Sequence, residues 1–199
     1  MKAVKGIVII LIAWVQATGT VAADAIDDFV NSQLEPKKVP GIALLVMHKG
    51  AVVKQQGYGY ADVEFRVPVT ADTLFQSGSL GKQFTAAGIL LLAQEGKLNL
   101  DDRLTMHSPD APAAWHRISI RHLLTHTSGM KDAGPDDVDL RKDYTDDELL
   151  GVLKKLPIEF EPGTQWSYSN SGYVLLGLLT TKLAGKHWGE FQAERLFKP

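Results

Sequence analysis

Ser79-Leu80-Gly81-Lys82-Gln83-Phe84-Thr85-Ala86-Ala87-Gly88-Ile89-Leu90-Leu91-Leu92-Ala93-Gln94-Glu95-Gly96 is the stretch on which the reading of this chain turns. Phe84, Ala86, Ala87 and Ile89 to Leu92 predict a buried helix, with Gly96 as its stop. What precedes Ser79 is glycine-punctuated and strand-like. Ser79 and Lys82, three residues apart on a helix, share a face one turn from each other. An unaided serine is a poor nucleophile near neutral pH; it needs a neighbour that takes its proton and a donor that holds the oxyanion formed on attack. Lysine serves the first need and a helix N-terminus the second. The competing reading makes Ser79 an N-capping serine with a surface lysine behind it.

The same four-residue frame recurs at Ser128-Gly129-Met130-Lys131. Here Gly129 follows directly, and Asp132, Gly134, Pro135 and Asp136 come next, which is turn chemistry rather than helix. Tyr168-Ser169-Asn170 lies between the turn signal Pro162-Gly163 and an apolar run starting at Tyr173, at a loop-to-helix junction where side chains point into a cleft. A tyrosine, with a pKa of about 10, becomes a useful base only beside a cation, and Lys82 is the candidate. The plainer alternative packs Tyr168 as a half-buried aromatic and uses Asn170 as a helix cap.

His122 and His126 are four apart, but Leu123 stands where a helical metalloprotease motif carries glutamate, so the pair reads as loop-anchoring hydrogen bonders and no metal site is assigned. Asp132, Asp136, Asp137 and Asp139 lack calcium-loop spacing and read as a solvated loop. Trp115, Trp166 and Trp188 read as core or cleft wall rather than cofactor platforms, and no cofactor is expected.

Residues 1–23 read as a secretory signal: Lys2 and Lys5, an apolar core from Ile7 to Val15, then small residues ending Val21-Ala22-Ala23, with cleavage expected after Ala23. That core is about half of the ~20 residues that span a bilayer, so no stable membrane anchor is expected after cleavage. The expected location is the periplasm or the outside of the cell. The whole chain carries 21 basic and 23 acidic side chains; losing the two leader lysines takes its net charge from −2 to −4, which argues against a nucleic-acid partner. With no cysteine there is no thiol nucleophile, no disulfide framework and no Cys-ligated zinc.

Around the central stretch the chain divides unevenly. Asp24 to Glu35 has helical spacing. Pro40-Gly41 opens Ile42 to Met47, apolar enough for a buried strand, and Lys49-Gly50 turns into Val52-Val53 and Tyr58 to Val63, a two-stranded meander. Beyond Phe84 the pattern is helix and loop: Ile118 to Leu124; Asp146 to Leu156, opened by a Thr145/Glu148 capping box; Tyr173 to Ala184, closed by Gly185; and Gly189 to Phe197. His187-Trp188-Gly189 sits between two such runs and reads as a turn.

Three segments taken in order resemble the serine β-lactamase superfamily: Ser79-Leu80-Gly81-Lys82, His122-Leu123-Leu124-Thr125-His126-Thr127-Ser128-Gly129, and Tyr168-Ser169-Asn170-Ser171-Gly172-Tyr173. The branch is that of class C β-lactamases, D-alanyl-D-alanine peptidases and related esterases. Gly57-Tyr58-Gly59-Tyr60-Ala61-Asp62, Glu95-Gly96-Lys97-Leu98 and Phe160-Glu161-Pro162-Gly163 are similar to it as well. The resemblance covers about residues 24 to 199. It implies an α+β, transpeptidase-like fold: an antiparallel sheet with flanking helices plus a helical region. It also implies an acyl-serine mechanism on an amide, lactam or ester, with Ser79, Lys82 and Tyr168 catalytic and Asn170 orienting substrate and Lys82. The family's third element, Lys-Thr-Gly or His-x-Gly on a strand, has no match, so a C-terminally truncated domain at 24–199 is expected, its last strands missing. The alternatives are a truncated product without enzymatic activity, a covalent binder without turnover, and a non-catalytic binding domain that keeps the fold.

Overall fold

The computed structural model describes residues 24 to 198 apart from 35 and 37, so the expected leader at 1–23 lies outside the described residues. The chain forms two compact units, divided after Phe75.

In the first unit, helix α1 (Ala25–Leu34) begins where the Asp24 carboxylate accepts hydrogen bonds from the backbone N–H of Ile26 and of Asp27. Strand β1 (Gly41–His48) pairs antiparallel with β2 (Ala51–Asp62), in a register that sets Ile42 opposite Tyr58 and Val46 opposite Lys54. Lys49 and Gly50 both have positive φ, 49° and 80°, the backbone of a two-residue hairpin turn. Lys54 joins the sheet to α1 through Asp27 at 2.6 Å and Asp24 at 2.9 Å, and the Tyr58 hydroxyl donates to Asp27 at 2.6 Å. The Lys54 ammonium first, and that hydroxyl second, hold the Asp27 carboxyl down at about 2.

Two expectations need correcting here. The sheet has three strands rather than two, since a short β3 (Val67–Pro68) pairs with the end of the twelve-residue β2, which stops at Asp62. Gly57 and Gly59 do not interrupt β2; they let neighbouring backbone close in, since a Cβ at Gly57 would lie 2.1 Å from the Val69 carbonyl oxygen, and one at Gly59 2.3 Å from that of Pro40. Ile42 to Met47 is also not a buried strand: Leu45 and Met47 are more than half exposed. Among the described residues of this unit, α1 is the single helix available to cover the sheet.

The second unit is helical. Residues 71–77 carry no strand, so the strand-like reading before Ser79 fails there. A 3-10 turn over Gly78–Leu80 leads into α2 (Gly81–Gln94), which stops at Gly96 with φ 71°. The short α3 (Leu104–His107) and α4 (Ile120–Leu124) follow. The run from Ile118 becomes helical only at Ile120 because Ser119 caps it: its hydroxyl accepts the His122 N–H while the His122 ring accepts the Ser119 N–H. Helix α5 (Asp146–Leu153) opens on the Thr145/Glu148 capping box. Helix α6 (Asn170–Ala184) ends at Gly185, whose left-handed φ of 69° closes it. Helix α7 (Trp188–Gln192) is capped by the His187 ring and runs into a wider turn at Ala193–Phe197. Ile89 and Leu92 of α2, Leu123 of α4, Leu153 of α5 and Leu175, Leu176 and Leu179 of α6 form one core with Trp115, Ile118 and Ile120. Burial of this many aliphatic side chains fixes α2 against α6, and with it the residues at their N-terminal ends.

Candidate active site

The N-terminal ends of α2 and α6 meet, and three of the four expected site residues converge on the fourth. Ser79 Oγ lies 2.6 Å from the Tyr168 hydroxyl, and Lys82 Nζ donates to Ser79 Oγ at 3.3 Å and to Asn170 Oδ1 at 2.8 Å. Ser79 does not cap a helix, since the 3-10 turn holds no side-chain cap. Its side chain is exposed and its hydroxyl is engaged across 89 residues of sequence. Gly78, with φ 52°, supplies the turn that presents it. Nor does Asn170 cap α6: Ser169 does, its Oγ accepting the Gly172 N–H at 3.0 Å, which leaves the Asn170 amide free to face Lys82.

Tyr168 is held from behind. The His126 ring packs on it with centroids 4.7 Å apart, on Tyr173 at 5.1 Å, and edge-on to the exposed Trp166 at 6.0 Å. His126 Nδ1 accepts the Ser169 N–H at 3.1 Å, and the carbonyls of His126 and Thr127 accept from Ser167 and Gly163 at 2.9 and 2.8 Å. These bonds stitch the loop carrying Tyr168 to the segment after α4. They give His126 the loop-anchoring work expected of the pair, whereas His122 anchors the start of its own helix. The Lys82 ammonium first, and the Ser79 hydroxyl second, lower the Tyr168 phenol from its ordinary value. Burial, and then the charge of Lys82, lower His126 as well. Lys82 Nζ stands 4.8 Å from the centroid of the Tyr168 ring.

Asp132 is the residue the sequence reading missed, having placed it in a solvated acidic loop. Its Oδ2 accepts from Asn170 Nδ2 at 2.8 Å and its Oδ1 from the Ser171 N–H at 2.7 Å. It lies three residues after Gly129 with no local pattern to mark it. Ser128 is only 1% exposed, and Lys131 turns away to pair with Asp137 at 2.9 Å. Beside Lys82 and Asn170 opens a cavity of about 620 Å³, walled by Phe84, Tyr173, Trp188 and Phe197. Trp188 is thus cleft wall and Trp115 is core. No cluster of three His, Cys, Asp or Glu side chains suited to a metal occurs among the described residues. Two hydroxyls, an amine and an amide, both hydroxyls on exposed residues, thus lie within hydrogen-bonding reach of one another, a grouping of the kind that can activate a serine.

Comparison with known proteins shows the family of the chain. A family model described as Beta-lactamase matches residues 26–199. Penicillin-binding protein 4* of Bacillus subtilis (strain 168) is 33% identical over 161 residues, covering 78% of this chain and 35% of its own length. The structure of the octameric penicillin-binding protein homologue from Pyrococcus abyssi superposes with a TM-score of 0.75 at 31% identity, over 87% of this chain and 42% of that one. D-amino acid amidase from Ochrobactrum anthropi SV3, in complex with D-phenylalanine, gives 0.73 at 34% identity, over 87% and 47%. The chain spans about a third of the length of the curated relatives it matches. A helical unit with Ser79, Lys82, Tyr168 and Asn170 gathered at its helix ends, and a family match running from α1 to Pro199, make this chain a member of the beta-lactamase family, within the serine β-lactamase superfamily.

Proposed function

We propose that this chain carries the nucleophile half of a serine hydrolase that acts through an acyl-serine intermediate. The observation that carries the reading is the 2.6 Å approach of the Tyr168 hydroxyl to Ser79 Oγ with Lys82 Nζ beside both. As Ser79 Oγ bonds to the carbonyl carbon of an amide, lactam or ester, its proton passes to the Tyr168/Lys82 pair. The lowered Tyr168 phenol suits that task. The carbonyl oxygen takes up the negative charge, and the Ser79 backbone N–H at the helix start is one donor for it. When the tetrahedral centre collapses, the bond to the leaving amine or alkoxide breaks and the stored proton goes to that group. Water then releases the acid from Ser79. Asn170 orients Lys82 and the substrate.

The names of similar proteins support a small amide or peptide substrate: a penicillin-binding protein and a D-amino acid amidase stand among them. In this reading residues 1–23 are a cleaved leader and the enzyme works in the periplasm or outside the cell. Among the described residues no helix is long and apolar enough to cross a membrane.

Intact-mass measurement of the full chain after exposure to p-nitrophenyl acetate, and separately to a penicillin, tests the reading. A single acyl adduct that is absent in Ser79→Ala is expected, and its decay over time separates turnover from capture. An unmodified wild-type mass with both reagents would overturn it.

A further inference from the structure

The side-chain amide of Asn170 lies between two groups that cannot exchange roles. Its Oδ1 accepts from Lys82 Nζ at 2.8 Å, and its Nδ2 donates to Asp132 Oδ2 at 2.8 Å. An ammonium has no acceptor and a carboxylate no donor, so one orientation of the amide satisfies both. Turned over, the amide would set N–H against ammonium and carbonyl against carboxylate. Asp132 is itself held: Oδ1 accepts the Ser171 N–H at 2.7 Å, while Ser171 Oγ accepts the Ala133 N–H at 2.8 Å. The loop bearing Asp132 and the first turn of α6 are therefore joined in both directions. A relay results, from Asp132 through Asn170 and Lys82 to Ser79 Oγ, in which each hydrogen bond fixes the direction of the next.

We propose that Asp132 is a positioning residue for acyl transfer. It locks the Asn170 amide so that its carbonyl, not its NH2, meets Lys82, and so holds Lys82 Nζ against Ser79. The role rests on the acyl-transfer reading above. It also bears on substrate recognition: one of the two Nδ2 hydrogens is committed to Asp132, so Asn170 keeps a single N–H for a substrate carbonyl.

A donor–acceptor exchange tests it. In Asp132→Asn, the side chain that still accepts from Ser171 must turn its own NH2 toward Asn170, and the relay loses its direction. In Asn170→Asp, two carboxylates face each other. In the double variant the two side chains trade chemistry. The carboxylate at position 170 then accepts from both Lys82 and the amide NH2 at position 132, while the oxygen of that amide still accepts from Ser171, and every bond is restored.

With p-nitrophenyl acetate, each single variant is expected to slow the maximal rate of Ser79 acylation by about 100-fold, Asp132→Asn with little change in the half-saturating ester concentration. The double variant should return to within about tenfold of wild type. Asp136→Asn, in the exposed part of the same loop, should match wild type. Thermal midpoints of the four proteins read the same coupling without chemistry: both single variants fall, and the double regains most of the loss. Wild-type acylation in Asp132→Asn, or losses that add in the double variant, would overturn the proposal. If the wild type takes no acyl group, the acyl-transfer reading fails by itself, and additive midpoints would then separately refute the lock on Asn170.

Discussion

Ser79 and Ser128 begin the same four-residue pattern, and the fold gives them opposite surroundings. Ser79 is exposed on the turn into α2, with its hydroxyl 2.6 Å from that of Tyr168 and 3.3 Å from Lys82 Nζ. Ser128 is buried, its Oγ accepts the N–H of Met130 at 3.4 Å, and Lys131 belongs to Asp137. Backbone shape makes the difference: a helical turn keeps residues three apart on one face, and Gly129 at φ 75° destroys that face. The second segment nevertheless serves the first. His126, two residues before Ser128, backs Tyr168, and Asp132, just after Lys131, fixes Asn170. The segment of the buried serine thus walls the site proposed at the exposed one.

The sharpest way to break this contrast is to remove each hydroxyl. Ser79→Ala is expected to abolish the acyl adduct. Ser128→Ala should keep it and lower the unfolding free energy by about 1 kcal/mol, the value of one modest hydrogen bond. Intact mass and urea titration read the two outcomes. An adduct that survives Ser79→Ala, or one that vanishes in a folded Ser128→Ala, would reverse the assignment of the nucleophile.

A smaller effect separates the two glycines that flank these serines, both with positive φ. At Gly129 a Cβ would lie 1.9 Å from the Phe160 carbonyl oxygen, whereas at Gly78 it would meet nothing within 4 Å. Gly129→Ala therefore combines left-handed strain with a backbone overlap and should cost about 3 kcal/mol. Gly78→Ala bears the strain alone, about 1 kcal/mol. Its larger consequence should be a slower acylation of Ser79, because it is the turn, not the core, that moves. Equal losses of stability in urea titration would show that close packing at Gly129 contributes nothing beyond its φ.

What could be read from the sequence follows from how local each signal is. The ends of α2 and α6 at Gly96 and Gly185, and the start of α5 at Thr145, are written within four residues of where they act, and they stand where the sequence puts them. That Ser79, Lys82, Tyr168 and Asn170 come together was to be expected only jointly, through a resemblance spanning three segments. Asp132 was not legible because its partner is 38 residues away and reached through a loop. The cap of α6 went to Ser169 instead of Asn170, since both are good caps and only the pull of Lys82 and Asp132 on the amide decides between them. The close approach of backbone at Val69 and Pro40 to the glycines of β2 is invisible to periodicity, so their role could not be read from the sequence.

The smallest expected effect concerns His126, which joins the segment of the buried serine to the site of the exposed one. Its Nδ1 accepts the Ser169 N–H, so a proton there would break the bond, and burial together with Lys82 keeps the ring's pKa below its ordinary range, with Asp132 opposing. An unfolded histidine titrates near 6.5. Between that pH and the lower folded value the unfolded chain binds more protons, so stability is full above about 6.5 and falls as the pH drops through the window. His122, lowered by burial within α4, acts in the same direction, so the comparison must be made with a variant. Asparagine tolerates the φ of 58° at position 126 and does not titrate. His126→Asn should therefore be less stable than wild type near pH 7.5, but lose less of its thermal midpoint between about pH 7 and pH 5. Acylation of wild-type Ser79 should slow over the same interval as the backing of Tyr168 loosens. Identical pH slopes in the two proteins would mean that the ring packs on Tyr168 without its protonation state mattering. The segment around Ser128 would then support the site by shape alone.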